Sequence, residues 1–157
     1  MYEQQFERMM RWYRRFREID RGRRHTMDSH NYEDEVHAFF MNCYHLKDWI
    51  KNDDSSNLKP AAKKEAEGFV KQNESLAICA DLCNGLKHLK LNQPQKSGVS
   101  PVLEAKEFHL VLAGRGDYPI VSVKYHIETV KGDKDAFALA TDCVAKWKGF
   151  ITNSRIP

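Results

Sequence analysis

The hydrophobic period of this chain changes twice, and that limits the folds open to it. From Tyr2 to about Leu89, apolar residues recur at alternating spacings of four and three, the mark of helices with one buried face. Between Phe108 and Glu128 they recur at spacing two, the mark of paired strands. From Phe137 the helical spacing returns.

The first stripe is Tyr2, Phe6, Met9, Tyr13, Phe16 and Ile19, which predicts a helix over 2–20 with an aromatic face suited to a core or a dimer seam. Residues 20–31 read as a basic connecting loop broken at Gly22. Tyr32, Val36, Phe39, Cys43, Leu46 and Ile50 predict a second helix over 32–51, antiparallel to the first. Pro60 suits the first turn of a third helix ending near Gln72. A fourth starts at Glu74 or Ser75 and ends near Leu89, with Leu76, Cys79, Cys83 and Leu86 inward and Gly85 inside the pattern. A β-hairpin over 105–129 turns at Gly114-Arg115-Gly116-Asp117, and its second strand has one polar face. A last helix over 135–150 places Phe137, Ala140, Val144, Trp147 and Ile151 inward. The expectation is one mainly helical α+β domain over 1–157: an antiparallel bundle of about five helices (core 2–90) with one β-hairpin between helices four and five.

Composition is ordinary for such a domain. The chain is 41% hydrophobic and 30% charged, which excludes a disordered tail or a low-complexity rod. No apolar run is long enough to span a membrane, and the first residues have no apolar leader, so the expected compartment is the cytoplasm. The net charge of +3 does not by itself predict nucleic-acid binding, but eight arginines fall within the first 24 residues. That strip, with Arg14 and Arg15 at its centre, reads either as a solvated face or as a docking surface for phosphates or an acidic partner. Cys43, Cys79, Cys83 and Cys143 form no CxxC pair and sit at or beside apolar helical positions, so buried free thiols are expected, with no metal and no cofactor.

Phosphate-cradling glycine motifs, HExxH and GxSxG are absent from the sequence. The densest polar cluster is Asp81-Leu82-Cys83-Asn84-Gly85-Leu86-Lys87-His88, in which Asp81, Asn84 and His88 share one helix face. An Asn and a His one turn apart can hold a phosphate or position a hydroxyl, and Lys87 can stabilise anionic charge. These make His88, Asn84 and Lys87 the candidate catalytic residues. Asn42, His45 and Trp49 share a face of the second helix. If helices two and four are antiparallel neighbours, that face and Asp81 meet, giving candidate binding residues.

The segments NCYHLKDWI and ADLCNGLKHLKL resemble a recurrent pattern of small bacterial and mobile-element proteins. The second segment also resembles the signature helix of the HEPN superfamily, whose motif is an arginine, a polar residue, three further residues and a histidine. Asn84 takes the polar position and His88 the histidine, while Cys83 stands where the arginine would be. The resemblance covers about residues 2–90. It implies a helical bundle, often dimeric, that binds RNA or a nucleotide, or a ribonuclease in which Lys87 or an N-terminal arginine replaces the motif arginine. The competing expectation is a non-enzymatic interaction module of a mobile-element or defence-type system. In it, the hairpin edge or the aromatic first helix binds a protein partner or a second copy as a homodimer.

Overall fold

The computed structural model describes residues 1–25, 30–87, 95–112 and 118–156. Its helices are α1 (Tyr2–Arg21), α2 (His30–Asn52), α3 (Pro60–Gln72), α4 (Glu74–Lys87) and α5 (Ala136–Ser154). Its strands are β1 (Arg23–Arg24), β2 (Val102–Val111), β3 (Ile120–Thr129) and β4 (Gly132–Asp135).

The helical period carries its prediction well. Met9, Phe16 and Ile19 of α1 are fully buried, as are Val36, Phe39, Cys43, Leu46 and Ile50 of α2. α2 is the hub and packs against each of the other four helices. Pro60 opens α3, where its fixed φ suits a helical first turn and its missing N–H is not needed. Asp135 caps α5 by accepting from the Ala138 N–H at 2.6 Å. Phe16, Phe39, Phe40 and Phe137 form an aromatic knot, with Tyr13 stacked on Phe137 at 5.3 Å between centroids. Trp147 of α5 is fully buried against Phe69 and Phe150. One inward assignment fails: Leu86 is exposed, while Leu82 and Cys83 of the preceding turn are buried.

The single expected hairpin is instead a four-stranded antiparallel sheet. β3 is its centre. β2 pairs along one side from Val102↔Glu128 to Val111↔Ile120. The other side is shared by β1, opposite Val121 and Ile120, and β4, opposite His126 to Thr129. Both added strands are too short and polar to show alternation. β1 lies in the stretch expected as a basic loop. Its pairing is extended by the His25 N–H donating to the Pro119 carbonyl, and Glu35 takes the Arg23 guanidinium through two bonds of 2.7 and 2.9 Å. Gly22, at φ 108°, ends α1, and a Cβ there would meet the Ile120 side chain at 3.1 Å. β4 occupies part of the stretch expected to open the last helix. It follows a turn in which Thr129 donates its hydroxyl to the Gly132 carbonyl.

α1 and α5 cover β3, whose Val123, Tyr125 and Ile127 are buried. β2 lies beyond that cover.

Candidate functional site

Asp81 and Asn42, expected to meet at one site, serve separate elements. Asp81 is buried, and its carboxylate accepts from the Lys96 N–H at 2.8 Å, the Ser97 N–H at 2.7 Å and the Ser97 hydroxyl at 2.5 Å. It pins the segment after α4 back onto that helix. Asn42 donates to the Ala38 carbonyl and accepts from Gln5 of α1 at 3.1 Å, while its backbone carbonyl takes a second Gln5 bond. The two expected polar faces therefore part: Asn42 turns to α1 and Asp81 to the 95–97 segment, because α4 meets α2 through its cysteine face. There the Cys79 thiol donates to the Phe40 carbonyl at 3.2 Å.

His45 is exposed, and Asn84 is half-buried. Trp49 is half-buried beneath Arg8, whose guanidinium lies 5.6 Å from the ring centroid. It lines a groove of about 240 Å³ with Asp48, Asn52 and Asp53. His88 lies outside the described residues, as does the side chain of Lys87. Arg14 donates to its own helix at the Met10 carbonyl, and Arg15 lies over Trp12 and 3.7 Å from Glu35.

A charged group the sequence did not reveal lies between α2, α3 and the 95–97 segment. Glu67 bridges Lys47 at 2.9 Å and Lys96, and both ammonium groups lie over the Tyr44 ring. Burial works against the Glu67 carboxylate, but the two lysines outweigh it and draw its pKa down to about 2. Lys47 also meets Asp48 at 2.7 Å, so two carboxylates face two ammonium groups and the cluster holds these elements together.

Two features remain without a structural partner to explain them. The first is a set of thiols: Cys43, Cys79 and Cys143, fully buried on three different helices, have sulfurs within 4.8 Å of one another. These residues could hold a metal. The second is β2 itself. Phe108 and Leu110 pair with Val123 and Val121 and share the helix-facing side of the sheet, yet they are 65% and 60% exposed. Leu112, Val111 and Val102 are also exposed. Proteins usually protect a long edge strand by cover, brevity or charge, and an exposed apolar edge invites another strand. Here the central Lys106 is neutralised within the chain by Glu104, at 3.0 Å, and Glu128.

No family model, no curated protein and no solved structure matches this chain. The site is therefore read from its own chemistry.

β2 is self-complementary when read antiparallel about the midpoint between Lys106 and Glu107. Val102 then faces Val111 of a second copy, Leu103 faces Leu110, Glu104 faces His109, Ala105 faces Phe108, and Lys106 faces Glu107. In a regular strand such a register would set one face against the opposite face, because side chains alternate. The register shift between Ala105 and Glu107 removes that conflict. Ala105 and Phe108, opposite Tyr125 and Val123, lie on one face, as do Leu103 and Leu110, opposite Ile127 and Val121. The run Leu110-Val111-Leu112-Ala113 was the available sequence signal. The helix-facing side of β2 is apolar, while Glu104, Glu107 and His109 lie on its other face.

Proposed function

We propose that the protein is a non-enzymatic interaction module that self-associates through β2. Two copies pair their β2 edges antiparallel about a two-fold axis and join two four-stranded sheets into one of eight. The observation that carries this is the exposed ten-residue edge strand, whose apolar residues fall opposite apolar ones and whose Glu104 falls opposite His109 when it is read against its own reverse. The ladder is about 33 Å long. It covers Phe108 and Leu110 with the partner's Ala105 and Leu103, and it sets Glu104 against His109 and Lys106 against Glu107. The Glu104–His109 pair favours this register over its neighbours.

The test is sedimentation equilibrium of the full chain beside three variants. The wild type is expected as a dimer. Phe108→Ser with Leu110→Ser is expected to be a folded monomer, since both side chains are already exposed in one protomer. His109→Glu, which sets two acids opposite each other, is expected to weaken the dimer at least tenfold, whereas His109→Lys keeps it. A wild type monomeric at all concentrations overturns the proposal, as does a dimer that none of these changes affects.

A further inference from the structure

The thiol cluster is independent of the β2 edge. Cys43 comes from α2, Cys79 from α4 and Cys143 from α5, and their sulfurs already lie within 4.8 Å of one another. Thiolates around one ion at metal–sulfur distances of about 2.3 Å stand about 4 Å apart, so closing the site needs shifts of ~1 Å or less. All three positions are fully buried, with no competing carboxylate or imidazole in the group. Cys83, one turn further along α4, lies outside it.

A second observation concerns the neighbours. The Trp147 indole N–H and the Ser75 hydroxyl are buried and have no hydrogen-bond partner. An unanswered buried donor is destabilising, and a neutral thiol is only a weak acceptor. A thiolate is a good one. The Trp147 indole lies by Cys43 and the Ser75 hydroxyl by Cys143. Burial opposes any lone thiolate here. Three thiols crowded in an apolar core beside two orphaned donors fit a state in which the sulfurs carry charge that a cation balances.

We infer that Cys43, Cys79 and Cys143 form a buried site for one soft, thiophilic cation, with Trp147 and Ser75 donating hydrogen bonds to the ligating sulfurs. On binding, three S–H groups release their protons to solvent and three sulfur–metal bonds form. No electron is transferred. A divalent ion leaves the site with one net negative charge and a monovalent ion leaves two, so burial favours a divalent ion such as zinc. The bound ion ties α2, α4 and α5 together at the centre of the core.

The test uses the full chain, reduced and stripped of metal, with cadmium ion as the probe. Because the sulfurs are fully buried, cadmium is added both to the native protein and during refolding from urea. The expected result is a near-ultraviolet thiolate-to-cadmium band that saturates at one ion per chain, with a raised Tm. Cys43→Ala and Cys143→Ala remove the band. Trp147→Phe keeps the ring and loses the N–H, so it guards against variants that fail to fold. It is expected to bind cadmium about 10-fold more weakly in competition with a chelator. A folded wild type with no band after both treatments overturns the inference. So does a band of full stoichiometry in folded Cys43→Ala, or a Trp147→Phe affinity equal to that of the wild type.

Discussion

Replacing Asp81 separates a structural carboxylate from a functional one. Its two oxygens divide three donors: Oδ1 takes the Lys96 N–H at 2.8 Å, and Oδ2 takes the Ser97 N–H at 2.7 Å and the Ser97 hydroxyl at 2.5 Å. Hydrogen bonds to a charged group contribute about 1.5–3 kcal/mol each. Lys96 and Ser97 are only half-buried, so water reaches their freed groups and the lower end of that range applies. Asp81→Ala is therefore expected to destabilise by about 4.5 kcal/mol, which in a chain of this size lowers Tm by roughly 9–18 °C. Asp81→Asn can turn its carbonyl toward Ser97 and keep two of the three bonds, so about 1–2 kcal/mol is expected.

The assay is urea unfolding followed by far-ultraviolet circular dichroism, with hydrogen exchange read at the Lys96 and Ser97 amides. In Asp81→Ala those amides should exchange far faster than in the wild type. The effect of Ser97→Ala, about 1 kcal/mol alone, should shrink markedly in the Asp81→Ala background, because the two changes remove one shared bond. An Asp81→Ala protein within 0.5 kcal/mol of wild type with both amides still protected refutes the reasoning.

Two further outcomes follow from the same packing. Glu67 has a lowered pKa in the folded state, so its contribution to stability is present above the usual carboxylate range and is lost as pH falls from about 4.5 toward 2. Its side chain is 38% exposed, so screening reduces the effect to about 1 kcal/mol, and Glu67→Gln should flatten the acid limb of the unfolding curve by that amount. Gly149 lies inside α5, and a Cβ there would meet nothing within 4 Å, so Gly149→Ala should raise stability by about 0.5–1 kcal/mol in chemical denaturation.

The five helices were legible because each buries a stripe long enough to show its period. Pro60 and Gln72 bound α3 as expected, and α1 runs one residue past Asp20, to Arg21. β1 and β4 were not legible, for a physical reason. They have two and four residues, and main-chain bonds to β3 hold them. Such bonds are the same for any side chain, so Arg23-Arg24 reads as a solvated loop until β3 is beside it. The expected site failed in a related way. Helix periodicity groups Asn42, His45 and Trp49 on one face and Asp81, Asn84 and His88 on another, but it does not say which neighbour each face meets. α4 turns its cysteines to α2, so Asp81 is left to the 95–97 segment. The thiol trio was hidden for the same reason. Each of its members looks like one more small apolar residue on its own helix, and only the crossing of α2, α4 and α5 brings them together.

The pattern of apolar positions shows which residues avoid water, and the layer above decides which succeed. On β3 they succeed, because α1 and α5 lie over Val123, Tyr125 and Ile127. On β2 the same alternation continues into residues the helix layer does not reach. The two edges of the sheet are also unequal. Along one, β1 pairs with Ile120 and Val121 and β4 with His126 to Thr129, and neither is long enough to template a further strand. Along the other, β2 is ten residues long, and its central lysine is already paired within its own sheet. A second strand added there gains a full ladder and buries apolar surface, whereas one added at the opposite edge gains neither. This asymmetry places association at β2. The bulge at Lys106 lets the strand meet its own copy with like faces together, which gives the register a geometric as well as an electrostatic basis.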